Sequence, residues 1–138
     1  MSKVTVPQIQ ALLAEYQLDQ GGHIIIEALG KLSAKARFRV AKKHLRPGDT
    51  VSGPTLMALA DAAMYAAVLG EIGLVPLAVT TSLNINFLKK PAQKDVVGDV
   101  KLLKVGKRLA VGEVYLYSEG DAEPVAHVTA TYSIPPNR

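Results

Sequence analysis

The sequence predicts an α+β fold: a curved antiparallel β-sheet wrapped around one long central helix. Three observations predict it. Between Val51 and Leu69 the only charge is Asp61, and the residues from Pro54 onward are strong helix formers, apolar almost all round. A helix apolar on every side is buried rather than laid on a surface. Four strand-like runs follow, at residues 79–87, 96–104, 108–117 and 125–134, and a strand pair precedes at 24–29 and 33–40. Consecutive strands joined by short loops pair antiparallel, here as a four-stranded meander. The economical way to bury the helix is to curl that sheet around it. The 138 residues suffice for one domain with a real core, expected to span 1–138.

Each element has its local reason. Val6-Pro7-Gln8-Ile9-Gln10-Ala11-Leu12-Leu13 has helical spacing, so a helix is predicted over about 5–17, ending before Gly21-Gly22. Turns are expected around Gly30 and at Arg46-Pro47-Gly48-Asp49. Gly53-Pro54 opens the central helix, predicted over about 54–70. Proline suits the first helical position because its missing donor costs nothing there. Gly70 and Gly73 close that helix, and Val105-Gly106-Lys107 makes a tight hairpin.

Composition removes several function classes. Hydrophobic residues make up 49% of the chain, which argues against disorder. Without cysteine there is no thiolate nucleophile and no disulfide framework. That fits a reducing cytoplasm, the expected location. Glu15 and Asp19 interrupt the apolar positions of residues 1–20, so no signal peptide is expected. The Pro54–Leu69 run falls short of the ~20 residues a membrane span needs and carries Asp61, so no membrane role is predicted. The net charge of +4 suits a polyanionic partner. The basic residues are scattered, tryptophan is absent, and no basic-aromatic stripe runs through the chain. A small phosphorylated ligand fits that charge equally well, and no nucleic-acid partner is expected. His23, His44 and His127 lack ligand spacing, so no metal is expected, and no Gly-x-Ser-x-Gly elbow occurs.

Asp61 is the principal candidate. Burial is costly for an unpaired carboxylate and favours its neutral form, which is a common way to make a general base or acid. Its alternative is a buried Asp satisfied by a neighbouring hydroxyl or backbone amide. Gly53 is the second candidate. At a helix N-terminus it presents a free backbone N–H and the positive end of the dipole, which can stabilise an oxyanion. Ser52 beside it reads as a helix cap. Asp61 lies roughly 12 Å from Gly53 at 1.5 Å per residue, too far to share one substrate atom. A two-fold dimer brings the two together across an interface.

These residues, in this order, resemble the hotdog-fold acyl-CoA thioesterases of the phenylacetate-degradation (PaaI-like) type. The similarity covers roughly residues 49–134. It rests on Gly53, Leu59-Ala60-Asp61, Asn84-Ile85-Asn86-Phe87-Leu88 leading to Pro91-Ala92, Val105-Gly106-Lys107-Arg108-Leu109-Ala110, and Thr129-Ala130-Thr131-Tyr132. Ser52-Gly53-Pro54 stands where the family usually has His-Gly-Gly, and Arg46 where it often has Asn. The resemblance implies Asp61 as nucleophile or general base, Gly53 N–H polarising the thioester carbonyl, and Thr80 orienting water or the carboxylate. It implies Lys107 and Arg108 at the coenzyme A phosphates, with Lys89 and Lys90 near the same site and Gly106, Ser52 and Arg46 in the substrate region. The implied substrate is a small aromatic or medium-chain acyl-CoA, with coenzyme A entering only as part of it and no separate cofactor. The implied assembly is a homodimer, pairing into a dimer of dimers. A non-catalytic acyl-CoA-binding module and a hotdog hydratase or dehydratase are the alternatives, although no histidine accompanies Asp61 on the helix.

Overall fold

The computed structural model describes residues 4–136. Helix α1 (Val6–Glu15) opens on a reciprocal cap. The Gln8 amide donates to Thr5 Oγ1 at 3.3 Å, and the Thr5 amide donates to Gln8 Oε1 at 2.8 Å. The helix stops short of residue 17 because Gln17 takes a φ of 57°. The Leu18 amide folds back to donate to the Leu13 carbonyl at 2.7 Å.

Strands β1 (Ile24–Gly30) and β2 (Ser33–Phe38) form the expected hairpin. The Arg46–Asp49 turn is flanked by a two-residue ladder absent from the sequence reading, β3 (Leu45–Arg46) with β4 (Thr50–Val51). Helix α2 (Gly53–Ile72) follows. It outlasts the expected end at Gly70, which lies buried inside it, and is terminated by Gly73 at φ 98°. The remaining strands are β5 (Val79–Phe87), β6 (Val96–Val105), β7 (Leu109–Ser118) and β8 (Ala126–Ser133).

The predicted four-stranded meander is corrected in its order. The six strands run β1-β2-β6-β7-β8-β5, so only β6, β7 and β8 form a meander. β5 pairs with β8, from Val79 opposite Ser133 to Phe87 opposite Ala126, and occupies one edge. Residues 88–95 carry the chain from that edge back to the middle, where β2 pairs with β6 and joins both halves into one sheet. Alternation assigns a strand's faces but not its neighbour.

The sheet curls around α2, which has the length and mean hydropathy (1.4) of a membrane span but lies in the core of the fold. Close approach is permitted at Gly112, where an added Cβ would come within 2.9 Å of the Met64 side chain. Coverage of α2 is incomplete. Pro54 and Met57 are exposed, and Ala58 and Asp61 are half-buried. Their spacing of three and four makes one stripe along the helix. A helix apolar all round is therefore wrapped on every side but this one.

Candidate active site

Asp61 sits at the end of that open stripe, beside the core rather than inside it. Its Oδ1 accepts two hydrogen bonds, from Thr80 Oγ1 at 2.6 Å and from the Tyr132 hydroxyl at 2.8 Å. Its Oδ2 accepts none from the described residues. Satisfaction by a neighbouring hydroxyl is thus present, and one oxygen of the carboxylate is still unengaged.

Thr80 reaches Asp61 through an irregularity in β5. Thr80 pairs with Tyr132 and Ser82 pairs with Thr131, which leaves Thr81 as an extra residue. A bulge shifts the two-residue alternation by one. Leu83 and Ile85 face the core, and without the bulge Thr80 would face outward with Asn84 and Asn86. With it, Thr80 turns to the helix. Tyr132 needs no such device. It continues the inward series Ala126, Val128, Ala130 and is buried. Burial first, then the negative charge of Asp61, raises the Tyr132 pKa well above the ordinary phenol value. It therefore remains a neutral O–H donor.

Asp61, Thr80 and Tyr132 border a cavity of about 410 Å³. Its other walls are mainly apolar: Leu13 and Leu18 from α1 and the turn after it, Ala58, Ala62 and Tyr65 from α2, and Pro76 to Val79. The Tyr65 hydroxyl donates to the Pro76 carbonyl at 3.0 Å, which fixes the ring as a wall.

Gly53 lies two helical turns away, as expected from the sequence. Ser52 caps the helix: its Oγ accepts from the Thr55 amide at 3.3 Å and lies 2.7 Å from Thr55 Oγ1. Its hydroxyl is committed to that role. The Phe87 ring lies over Gly53, where an added Cβ would sit 3.3 Å from Phe87 Cζ. Arg46 is exposed on the β3–β4 hairpin leading into the helix.

The basic residues separate into two groups within one chain. Lys89 and Lys90 follow β5 at its Phe87 end, the end near Gly53. Gly106, Lys107 and Arg108 form the β6–β7 turn, closed by the Gly106 amide donating to the Leu109 carbonyl at 2.8 Å. That turn lies toward the opposite end of β5, since Leu109 and Val79 both pair with Ser133. The expectation of one shared basic site is therefore not met inside a single chain. Lys89 is moreover held by Asp121 at 2.7 Å, with Glu123 at 4.0 Å. That contact raises the Lys89 pKa and lowers that of Asp121. Lys90, Lys107 and Arg108 are exposed.

Sequence reasoning missed four contributors. Tyr132 entered the sequence reading only as part of the Thr129–Tyr132 segment, and nothing in its spacing to Asp61 announces their contact across 71 positions. Phe87 was named only within the Asn84–Leu88 segment, with no role at Gly53. Leu13 was read only as part of the N-terminal helix, and Leu18 was given no role. Their part in the cavity comes from the way α1 packs on β1 and beside α2.

The β-sheet curled around a central helix, with a carboxylate and an apolar cavity on that helix, defines a hotdog-fold thioesterase. The protein-family model described as "Thioesterase superfamily" matches residues 48–125. The chain belongs to that superfamily, and its type is PaaI-like; it is a thioester hydrolase. Among solved structures, a Silicibacter sp. TM1040 protein provisionally termed a thioesterase shares 44% identity, with 99% of this chain and 95% of that chain covered and a TM-score of 0.89. A point mutant of the phenylacetic acid degradation protein PaaI from Thermus thermophilus shares 25% identity over 94% of this chain and 99% of that one, at a TM-score of 0.72. Zebra fish thioesterase superfamily member 2 shares the fold at 18% identity and a TM-score of 0.83, with 96% and 100% covered. No curated protein matches the chain in sequence.

Proposed function

We propose that the chain hydrolyses acyl-CoA thioesters, with the acyl group in the cavity beside Asp61. The observation that carries this reading is the Asp61 carboxylate, fixed through Oδ1 and open at Oδ2, on the rim of an apolar pocket of about 410 Å³. The walls suit a small aromatic or medium-chain acyl group, because they offer apolar surface and few polar partners. Asp61 acts as general base on water or as nucleophile on the thioester carbon. The Gly53 N–H, at the positive end of α2, polarises the carbonyl oxygen. With water as nucleophile its proton passes to Asp61, and the tetrahedral intermediate collapses to the free acid and the coenzyme A thiolate, which takes that proton back; with Asp61 as nucleophile the same collapse leaves an acyl–Asp61 anhydride that a water then hydrolyses to the free acid.

Asp61 and Gly53 of one helix are two turns apart, so the reading places one residue of each copy at a shared site. Two features of the surface support a homodimer. The open α2 stripe carries Met57 at 41% exposure, and the free edge strand β5 ends at Phe87, followed by Leu88, both more than half exposed. Unpaired edges and apolar patches of this kind are covered in assemblies. In the dimer, Lys90, Lys107 and Arg108 supply positive charge for the phosphates of coenzyme A, and two dimers pair into a tetramer.

A thiol-release screen over short, medium, long and aromatic acyl-CoAs tests the reading. Hydrolysis is expected to be fastest with aromatic or medium acyl groups. Absence of thiol release across the whole panel would overturn it.

A further inference from the structure

We propose that Tyr132 is a positioning residue for the Asp61 carboxylate, aiming Oδ2 at the reacting centre; this rests on Asp61 acting as proposed above. The Tyr132 hydroxyl lies 2.8 Å from Asp61 Oδ1 and 3.1 Å from the Asp61 backbone carbonyl oxygen. One phenol oxygen thus spans both ends of the Asp61 side-chain torsions. Holding Oδ1 against the residue's own backbone leaves a single orientation for the carboxylate.

Thr80 cannot do this alone. It touches only Oδ1, and its strand is an edge strand with a bulge at that point. Tyr132 comes from β8, flanked by β7 and β5, and is 2% exposed, with its ring centroid 6.0 Å from that of Tyr65. The donor is therefore anchored on a buried ring of an interior strand. A carboxylate held this way keeps Oδ2 directed into the cavity without a reorganisation cost at the moment of reaction.

The alternative is that Tyr132 simply fills core volume. Tyr132→Phe separates the two, because it keeps the ring and removes only the oxygen. The first readout needs no substrate. Three-bond couplings from Asp61 Cγ to its backbone nitrogen and carbonyl carbon report whether the side chain holds one rotamer. Wild type is expected to show one fixed rotamer and Tyr132→Phe an average over several. The second readout is kinetic: kcat is expected to fall roughly tenfold while KM stays within about twofold, the pattern of an interaction realised in the transition state.

Replacement of Tyr132 by p-aminophenylalanine restores a donor at the same place. It is expected to recover both the fixed rotamer and most of kcat, and it keeps the test open should Tyr132→Phe fold poorly. Unaltered couplings in Tyr132→Phe, or averaged couplings with unaltered kcat, would overturn the positioning role. An inactive wild-type enzyme over the acyl-CoA panel would instead sink the reading of the site, while the couplings still decide what holds Asp61.

Discussion

Thr80 donates to Asp61 Oδ1 at 2.6 Å only because Thr81 is bulged out of the β5–β8 ladder. A strand of regular alternation would send Thr80 to the outer face with Asn84 and Asn86. Removing the hydroxyl while keeping the β-branched shape, as in Thr80→Val, is expected to lower kcat by roughly tenfold, with KM nearly unchanged. Steady-state thiol release measures both. Deleting Thr81 is expected to cost less, since it closes the ladder with Thr80 still opposite Tyr132 and facing Asp61.

The separation of Gly53 from Asp61 along α2 leads to a complementation experiment. Asp61→Asn and Gly53→Val chains are each expected to be nearly inactive, the second because a side chain there meets the Phe87 ring. After verified subunit exchange, heterodimers are expected to regain about one working site in two if the residues act across a two-fold interface. No recovery, or a monodisperse active monomer by light scattering, would exclude the shared site.

Charge on the β6–β7 turn gives a third expectation. Changing Lys107 and Arg108 together to Ala should raise KM more than it lowers kcat, and rising salt should mimic the change, because exposed charge pairs are screened. Lys90→Ala is expected to show the same signature in smaller degree. Lys89→Ala is expected to show little of it, since Asp121 already holds that ammonium at 2.7 Å.

Away from the site, His44 packs edge-on against His23 and Phe38, with ring centroids at 4.5 and 4.6 Å. The Ala41 amide donates to His44 Nδ1 at 2.8 Å, which requires that nitrogen to be unprotonated. Burial, then the neighbouring His23 and Lys43, hold the His44 pKa below its usual value of 6.5. The unfolded chain therefore binds a proton first as pH falls. The stability His44 contributes is complete above about pH 6.5 and declines below it, at no more than about 1.4 kcal/mol per pH unit for one proton. Denaturant melts between about pH 7 and 5 are expected to show a shallower decline in His44→Gln than in wild type. Identical slopes would remove His44 from the acid response.

Much of the fold was legible because its signals are local. The apolar run around Asp61, Pro54 after Gly53 and the period-two runs locate α2 and the long strands to within a few residues. What stayed hidden depends on who pairs with whom. Placing β5 beside β8 rather than β6 is a choice between two partners with the same alternation. The bulge at Thr81 leaves no mark in a Thr-Thr-Ser stretch. The Tyr132 contact with Asp61 and the Lys89 contact with Asp121 join residues far apart in sequence, and only tertiary structure decides them. The carboxylate itself stood out, because Asp61 is the only charge between Val51 and Leu69.

The most direct measurement is thiol release by Asp61→Asn beside wild type, on the best acyl-CoA from the panel, with acyl-CoA binding measured in parallel. The exchange keeps size and part of the hydrogen bonding to Thr80 and Tyr132 but removes the base. With Asp61 as base or nucleophile, kcat falls by at least ~100-fold while Kd stays within a few-fold. A variant that retains activity within a few-fold of wild type would contradict the role of Asp61.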